Sequence, residues 1–546
     1  MIMRSRYVAS GCLILIFGTL AGCGGDGAPV VTVPGGGSPT PTPTPTPTPA
    51  ATLPVTLSAS SATVTVDEGQ AATFGFTATY TGSSSQPVVA DVTIGSKRYV
   101  LDAPPTASGT SFPVALKLPP FSPGGQEAST VTFRLCTSAD CATVYPGSTA
   151  SFAVSLDVRL KDWGTFQRDA AHTGYVAVKY KTTDFTTAWS MTDYSSAGYI
   201  PTPIAARRGR VFVNIQTQNA SGNPRTLAIN SLSGTQDWAF DTTQGYVSPP
   251  SYANGRLIHA ARNLTIFGTV SMYVLGADGG NRQRELPIAG RFAADGTPMA
   301  LDDNVYYATE GYYAGGQDGN VIYSYDAATG ARQWLGQPFP SGSGIVREGE
   351  SVAADGKFVY FFSAGSLFAL SRTTGAIVHA IQNPFVSSGG PNSYYGGPIL
   401  DGTGRVFTFS DYRAKGQVLP LVAFSINSDS VLWHSSRSYA GEPALRDGKL
   451  YAIRANSAVV DIIDTTNGSV TASIDLGADK GILTSNVVVT GSHLFVASDT
   501  TTYAVDLEQS GNPTVWSAPH GGPLAITPDN LLVVSASGGI YAYRLA

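Results

Sequence analysis

Two carboxylates, Glu350 and Glu442, stand where a repeated segment of the chain begins its first apolar strand. Hard cations and polar ligands are typically held by such oxygen donors, so this pair is the first candidate for chemistry. Solvated charges at a water-filled opening are the alternative. The equivalent positions in the other repeats carry neutral residues: Thr202, Pro249, Thr297, Gly397, Asn486 and Gly522.

Five tyrosines form the second candidate site. They occur in segments longer than a tight turn requires, such as "EGYYAGGQDGN" and "SDYRAKGQV", and extra loop length is typical of recognition. Tyrosines there can stack on sugars, pack on a peptide, or simply fill the loops, and the sequence leaves these open. The candidate ligand-binding tyrosines are Tyr312, Tyr313, Tyr394, Tyr395 and Tyr412.

Familiar catalytic patterns are missing from the sequence. It has no G-x-S-x-G elbow, no H-E-x-x-H and no phosphate-binding G-x-x-x-x-G-K, and its six histidines are scattered. His172 is expected to dock the segment that carries it. We therefore predict no catalytic residues, no metal and no cofactor. The net charge of −5, with no basic tract after the first residues, argues against nucleic acid.

The N-terminus has the pattern of a bacterial lipoprotein. A short basic region and an apolar run too short to span a bilayer end in "LAGC", which predicts a signal peptide over 1–22 and lipid on Cys23. An ordinary secretory signal with a chance cysteine is the alternative. Gly24 after the cysteine favours the outer membrane, with the periplasmic or surface side left open. Glycines and Pro-Thr dipeptides over 23–53 predict an extended stalk, on the order of 50 Å long.

Residues 54–158 alternate in strand fashion, with turns at short intervals, which predicts an immunoglobulin-like β-sandwich. Cys136 and Cys141 are an even pair in an exported chain, so we expect a disulfide at the neck of a hairpin. A spacer or an adhesion module is the expected role of this domain.

Residues 159–546 repeat a phrase best seen in "SYDAATGARQW", which follows an apolar strand. Each repeat is read as three strands, a tight turn and a fourth strand, and that pattern is typical of a propeller blade. The phrase ends in tryptophan, which we expect to fill the wedge between blades, or in Arg284, His379 or Ala472. The predicted blade-docking tryptophans are Trp189, Trp238, Trp334, Trp433 and Trp516.

The ends of the repeat region predict how the ring closes. The last repeat stops after its third strand, and an unpaired strand "FTTAWSM", with Trp189, precedes the first complete repeat. Pairing these two segments would complete an eighth blade. The expected fold is therefore all-β: an immunoglobulin-like sandwich followed by an eight-bladed propeller.

The repeated phrase, together with "DWGTFQRDAAHTGY" at 162–175, resembles the quinoprotein-like eight-bladed propellers over about residues 160–546. The enzymes of that family, the quinone-dependent dehydrogenases, typically place adjacent cysteines beside the cofactor, and this chain has no adjacent cysteines. Another branch includes the lipoprotein of the outer-membrane β-barrel assembly machinery, which lacks the Pro-Thr stalk and the sandwich. We expect a non-enzymatic, membrane-anchored scaffold that binds protein or glycan. The alternative is an enzyme, a quinone-dependent dehydrogenase or a glycan-active one, using the axial carboxylates.

Overall fold

The chain is an all-β protein in the part that the structure, a computed structural model, describes. Two short 3-10 helices, Thr182–Asp184 and Ala478–Lys480, are the helices among these residues, and neither is long or apolar enough to cross a membrane. The described residues are 51–192, 201–215, 224–242, 245–262, 270–288, 296–309, 312–313, 316–317, 321–337, 339, 350–363, 365–386, 396–411 and 416–546. The predicted signal peptide, Cys23 and nearly all of the predicted stalk lie outside them.

The first domain consists of two four-stranded sheets that share one core. Its sheets have the orders β1-β3-β6-β5 and β2-β8-β7-β4, with β2 and β8 parallel. Alternate side chains of β6, including Val114 and Leu116, face Val131 and Phe133 of β7. This period of two buries one face of each sheet. The strands are β1 (Val55–Leu57), β2 (Ser61–Asp67), β3 (Ala72–Tyr80), β4 (Val89–Ile94), β5 (Val100–Leu101), β6 (Ser111–Leu118), β7 (Gly125–Cys136) and β8 (Ala150–Arg159).

Cys136 and Cys141 form the predicted disulfide, with their Cα atoms 5.0 Å apart. Its position differs in detail from the prediction. Cys136, at the end of β7, pairs across the hairpin neck with Val144, and Cys141 lies inside the loop with a positive φ of 54°. The bond therefore closes the loop within the hairpin instead of joining its two sides.

The second region begins with two strands that complete sheets formed by distant residues, β9 (Tyr175–Val176) and β10 (Thr186–Met191). A series of antiparallel units follows, each of four strands except unit 2. Unit 1 contains β11 (Ala205–Arg207), β12 (Arg210–Ile215), β13 (Arg225–Asn230) and β14 (Gln236–Asp241). Unit 2 contains β15 (Tyr246–Val247), β16 (Ser251–Ala253), β17 (Arg256–Arg262), β18 (Val270–Gly276) and β19 (Arg282–Ile288). In this unit two short strands, β15 and β16, both pair with β17.

Units 3 and 4 have the same strand order as unit 1, from the first strand to the fourth in chain order. Unit 3 contains β20 (Met299–Leu301), β21 (Asn304–Thr309), β24 (Val321–Asp326) and β25 (Arg332–Leu335), with a hairpin of β22 (Tyr312–Tyr313) and β23 (Gly316–Gln317) between its second and third strands. Unit 4 contains β26 (Ala353–Ala354), β27 (Phe358–Ser363), β28 (Ser366–Ser371) and β29 (Ile377–Gln382).

Units 5 and 6 share one long strand, β33 (Ser430–Arg446), which is the fourth strand of one and the first of the other. Unit 5 also contains β30 (Ile399–Leu400), β31 (Arg405–Phe409) and β32 (Leu419–Ser425). Unit 6 also contains β34 (Lys449–Arg454), β35 (Val459–Asp464) and β36 (Val470–Asp475).

The last units join the two ends of the region. Unit 7 contains β37 (Val488–Thr490), β38 (His493–Ala497), β39 (Thr502–Asp506) and β40 (Thr514–Ala518), with β9 added beside β37. The closing unit contains β41 (Leu524–Ile526), β42 (Leu531–Ala536), β43 (Gly539–Arg544) and β10. Trp189 of β10 pairs with Ala542 of β43, which confirms the predicted pairing of the early strand with the last one.

Burial explains why the second and third strands are apolar throughout. All six residues of β42 are buried, as are five of six in β27, because these strands pack on neighbouring units through both faces. The fourth strands are more polar, as in β14, where no residue is fully buried. Consecutive units thus stack face to face.

Tryptophans at the end of the repeated phrase hold neighbouring units together. In four of the five, the indole Nε1 donates to a carbonyl in the third-to-fourth turn of the next unit, and a glycine of that turn lies against the ring. An added Cβ at Gly375 would lie 2.5 Å from the Trp334 ring. The hydrogen bonds are Trp189 to Ser231 (2.7 Å), Trp238 to Ala277 (3.1 Å), Trp334 to Arg372 (2.8 Å) and Trp433 to Thr465 (2.9 Å).

Units that lack this tryptophan use other contacts. Arg284 lies against Gly330, whose added Cβ would be 3.3 Å from the arginine Cδ. His379 Nδ1 is 2.6 Å from Asp429, which stands in the next turn where a glycine would otherwise be. Unit 7 has the tryptophan, but Trp516 makes a different contact: it packs edge-on against Phe185 and Tyr543, at centroid distances of 5.8 and 5.0 Å. The facing turn residue is still a glycine opposite Arg284, whereas opposite His379 it is a carboxylate that binds the imidazole.

Candidate functional site

A cavity of about 490 Å³ lies where the first strands of several units begin. Units 1, 5, 6, 7 and the closing unit all contribute to its wall, so it lies near the common axis of the repeat. Its described lining is Trp163, Phe166, Gln167, Pro201, Pro203, Ile204, Gly416, Ala440, Gly441, Glu442, Thr484, Ser485, Asn486, Asp499, Gly521, Gly522, Pro523, Leu524 and Ser537. We call it the axial cavity.

Glycines let the units approach one another around this cavity. A Cβ on Gly441 would lie 1.9 Å from the Ser485 carbonyl oxygen, far inside any real contact. Gly522 has a φ of +149°, and its added Cβ would lie 2.0 Å from the Ser535 carbonyl oxygen. Only glycine fits such positions without moving the backbone.

The floor of the axial cavity comes from residues before the first unit. Trp163, Phe166 and Gln167 are all buried there. The Gln167 amide donates to the carbonyl of Pro443 at 2.9 Å and accepts from Asn486 Nδ2 at 2.7 Å. Gln167 thus joins unit 6 to unit 7 beneath the cavity.

Carboxylates and amides supply the polar part of the wall. Glu442 is 3% exposed, and its carboxylate lies beside Gly396, where an added Cβ would be 2.6 Å from either oxygen. Asn486 also binds the backbone of Leu524 through both amide atoms, at 2.8 and 3.0 Å. Asp499 accepts from Thr484 Oγ1 at 2.7 Å. The described lining contains these two carboxylates and no lysine, arginine or histidine.

The predicted pair of carboxylates is not brought together in this cavity. Glu442 lines it, whereas Glu350 does not. Glu350 is 1% exposed, and its backbone carbonyl accepts from Thr297 N at 2.7 Å. Among the residues described, no group of three or more His, Cys, Asp or Glu side chains is placed to hold a metal ion.

The predicted tyrosine site is described only in part. Tyr312 and Tyr313 pair with Gln317 and Gly316 in a short hairpin. The remaining three candidates, Tyr394, Tyr395 and Tyr412, lie outside the described residues.

His172 lies buried behind the floor of the axial cavity. Its Nδ1 is 3.0 Å from the Pro398 carbonyl oxygen, and its ring meets Phe166 edge-on at 5.6 Å. Complete burial lowers the pKa of His172 to about 4, so the imidazole is neutral at physiological pH. It therefore packs between the floor and unit 5, in agreement with the predicted docking role.

The mouth of the axial cavity faces away from the tight turns. Asp529 binds the first-to-second turn of unit 1 at Gly209 N (2.6 Å) and its third-to-fourth turn at Ser231 Oγ (2.5 Å), so both turns share one side. The second-to-third loops lie at the other end of antiparallel units. Asp499 and Ser537 belong to such loops and line the cavity. The mouth therefore opens on the side of the long loops.

The two-sheet domain covers part of the opposite, tight-turn side. Gly124 and Asn530 exchange two hydrogen bonds, each 2.9 Å long. Asp157 pairs with Arg208 of the unit 1 turn at 3.0 Å. The buried pair of Glu68 and Arg168 adds a third contact at 2.5 Å. This domain and the cavity mouth are thus on opposite sides of the repeat region.

Comparisons with known proteins agree with this architecture. Residues 271–471 match the family model described as outer membrane protein assembly factor BamB. A solved europium-containing methanol dehydrogenase aligns over 68% of this chain and 89% of its own, with a TM-score of 0.51 and 13% identity. Residues 271–471 therefore carry a PQQ-like repeat, and the solved structure shares the propeller fold of this chain.

A second solved structure is that of the quinohemoprotein alcohol dehydrogenase ADHIIG from Pseudomonas putida HK5. It aligns over 70% of this propeller repeat protein and 80% of its own chain, with a TM-score of 0.50 and 12% identity. At such identities the likeness shows the fold and not the reaction. No curated protein sequence matches the chain.

The described lining does not fit the quinone cofactor of the dehydrogenase branch. The adjacent cysteines typical of that branch are missing, and Cys136 and Cys141 lie in the other domain, bonded to each other. The carboxylates of Glu442 and Asp499 would repel an anionic cofactor, and no cationic side chain of the described lining offsets them. We derive no step through a quinone.

Sequence reasoning did not single out Gln167 or Asp499. Gln167 belongs to the entry phrase "DWGTFQRDAAHTGY", and that phrase was the one signal pointing to it. Its bonding partners are separated from it by 276 and 319 residues, so their proximity depends on ring closure.

Proposed function

We propose that this propeller repeat protein is a non-enzymatic scaffold that binds a protein or a glycan at its long-loop side. The axial cavity is the site that holds a group of the bound partner. One observation carries the proposal: the two-sheet domain occupies the tight-turn side through Gly124, Asp157 and Glu68, on the side opposite the cavity mouth. The family match to an assembly factor supports a capacity for protein interaction.

The finer architecture is part of the same proposal. The units are interpreted as eight propeller blades, and the first domain as an immunoglobulin-like sandwich. The proposed domains are a signal peptide over 1–22, lipidated Cys23 with a stalk over 23–53, the sandwich over 54–158 and the propeller over 159–546. Anchoring in the outer membrane follows from the predicted lipid. Parallel pairing of β2 with β8 and closure of β10 onto β43 support the two fold assignments.

The direction of the chain through the sandwich places its first described residues and its contacts with the propeller at opposite ends of β7. Leu53 N donates to the Pro146 carbonyl at 3.0 Å. Pro146 lies close in sequence to the hairpin that contains Cys136. The other end of β7 is at Gly125, directly after Gly124, the residue that bonds to Asn530. β7 has 12 residues and is about 40 Å long.

The residues that line the axial cavity favour a partner group that has hydrogen-bonding atoms and an apolar face. The volume of about 490 Å³ lies in the range typical of small-ligand sites. Trp163, Phe166 and the prolines provide apolar surface, while Glu442 and Asp499 accept hydrogen bonds. Sugar rings and polar peptide side chains both present this combination of hydroxyl or amide groups and C–H faces.

An enzyme remains the second candidate because Glu442 is a buried carboxylate in the wall of a cavity. The Glu442→Gln variant distinguishes the candidates. Turnover of an alcohol or a glycan that disappears in this variant, with binding unaffected, would support the enzyme.

Partner capture tests the proposal. Purified full-length protein would be probed against envelope extracts and arrayed glycans, beside a variant with alanine at Tyr312, Tyr313, Tyr394 and Tyr395. We expect capture to weaken at least tenfold, because aromatic residues at an interface can carry much of the binding energy, while the melting temperature stays nearly unchanged. The matched control has alanine at the exposed turn residues Thr329, Thr373 and Thr466. Capture lost in the control and kept in the tyrosine variant would contradict the proposal.

A further inference from the structure

A single turn, Thr165–Arg168, faces the axial cavity and the sandwich at once. It is closed by two hydrogen bonds between Thr165 and Arg168, of 3.0 and 3.2 Å. Gln167 and Arg168 have positive φ values of 51° and 81°, a backbone conformation that costs non-glycine residues energy. This conformation allows two consecutive side chains to reach different domains.

On the sandwich side, the turn is fixed by a buried ion pair. Arg168 Nη2 lies 2.5 Å from Glu68 Oε2, and the two side chains are 3% and 7% exposed. The same carboxylate oxygen accepts from Lys161 N at 3.0 Å. Removing one member of a buried pair leaves the other charge without its partner, which is strongly unfavourable. The position of Arg168 is therefore sensitive to Glu68.

On the cavity side, the preceding residue in the turn, Gln167, holds the floor in position. Gln167 Nε2 donates to the carbonyls of Pro443 and Val487 at 2.9 and 3.2 Å, and Oε1 accepts from Asn486. Gln167 and Arg168 are adjacent in one tight turn, so a backbone shift at Arg168 also moves Gln167.

The segment that follows the turn fastens the floor to four units. Backbone amides of first strands donate to its carbonyl groups, so it runs across the inner edges of the units. The bonds are Ala354 N to Ala170 O (2.8 Å), Leu400 N to Ala171 O (2.9 Å), Leu445 N to Thr173 O (2.7 Å) and Val489 N to Gly174 O (2.9 Å).

We propose that docking of the sandwich through Glu68 regulates the axial cavity. With the Glu68–Arg168 pair formed, the floor is held in the conformation described above. Without the pair, the floor and its bonds to units 4, 5, 6 and 7 loosen, and the cavity loses affinity for a bound group. Coupling of this kind acts equally in both directions, so an occupied cavity strengthens sandwich docking. The regulatory role rests on the proposed function, whereas the coupling is measurable without a ligand.

Hydrogen exchange of the full chain, followed by mass spectrometry, tests this coupling. In Glu68→Gln we expect amides of 163–174, and those of Leu445 and Val489, to exchange at least tenfold faster than in the unchanged protein. The matched control is Asp157→Asn, which removes another sandwich–propeller ion pair without touching the turn. Unchanged exchange at these amides in Glu68→Gln, or equal acceleration in both variants, would overturn the proposal.

A second variant covers the case in which Glu68→Gln does not fold, which loss of protection in β7 would reveal. Gln167→Ala alters the cavity side only, and the coupling predicts faster exchange at Lys161 N and Glu68 N on the sandwich side. Unchanged exchange at both amides would overturn the coupling. A failed capture experiment would count against the proposed function and leave these exchange results as they are.

Discussion

The ring of Trp334 lies directly on Gly375 of the next unit, so closely that an added Cβ on this glycine would be 2.5 Å from the ring. The indole Nε1 donates to Arg372 in the same turn. The same relationship joins Trp189 to Gly234, Trp238 to Gly280 and Trp433 to Gly468. The repeated phrase thus encodes both sides of a contact between units: a glycine that receives a ring and a tryptophan that supplies one.

Gly375→Ala should destabilise the propeller far more than an equivalent change elsewhere. Gly255 provides the control, since its φ of +77° is close to the +71° of Gly375 and an added Cβ there meets nothing within 4 Å. Both variants lose about 1–2 kcal/mol through the left-handed backbone, and Gly375→Ala loses about 1–3 kcal/mol more through overpacking. Urea denaturation measures the difference. Equal losses in the two variants would show that the ring contact is unimportant.

Ring closure predicts a large cost for Trp189→Ala. Trp189 is 8% exposed and lies in the strand that joins the start of the region to its end. Emptying a buried aromatic site typically costs about 3–5 kcal/mol. Trp238→Ala, at a more exposed ring within a continuous segment, should cost less. Chemical denaturation would contradict the closure if Trp189→Ala were the milder of the two.

Stability should decline below neutral pH because two histidines are buried in neutral form. Burial lowers the pKa of His172 to about 4 and that of His259 to about 3. An unfolded histidine titrates near 6.5, so the unfolded chain binds more protons below that pH. Their contribution to stability is complete above about pH 6.5 and is lost progressively toward pH 4. Each adds a slope of at most about 1.4 kcal/mol per pH unit.

His259→Phe provides the check on this pH dependence. His259 lies between Phe240 and Tyr273, at centroid distances of 5.9 and 5.5 Å, so a phenyl ring suits the site. The free energy of unfolding, measured between pH 8 and pH 4.5, should fall less steeply in the variant. An identical slope in both proteins would exclude His259 as a cause.

The predicted lipid anchor has a direct test in cell fractionation. Mass spectrometry of the mature protein should detect a lipid-modified N-terminal Cys23. Cys23→Ala should move the protein from the membrane fraction to the soluble fraction, because this variant cannot carry the proposed lipid. Firm membrane association of Cys23→Ala would disprove the lipoprotein assignment.

The repeat could be predicted from local patterns in the sequence, whereas contacts between residues far apart in the chain limited what could be predicted. Strand alternation, turn glycines and the tryptophan at a fixed distance are encoded within one unit, so the amino-acid sequence alone reveals them. The pairing of Trp189 with the last strand was predictable because an unpaired strand at each end has one obvious partner. Disulfide formation between Cys136 and Cys141 followed from their number and spacing.

The candidate site was less predictable because its residues meet only after the ring closes. Glu350 and Glu442 occupy equivalent positions in their repeats, but one lines the axial cavity and the other does not. Gln167 reaches the cavity because the segment before unit 1 crosses the inner strand edges, a path that no local pattern encodes. The contact of Glu68 with Arg168 joins residues 100 apart in two domains.

Site-specific photo-crosslinking in cells tests most directly the claim that a partner binds at the cavity mouth. A photoreactive residue would replace Ser537, which lies at the mouth, or Thr466, which is exposed in a tight turn on the opposite side. We predict a discrete crosslinked product from position 537, lost when the four loop tyrosines are changed to alanine, and no such product from position 466. A product from position 466 alone, or none from either position while Glu442→Gln abolishes a measurable turnover, would contradict the account.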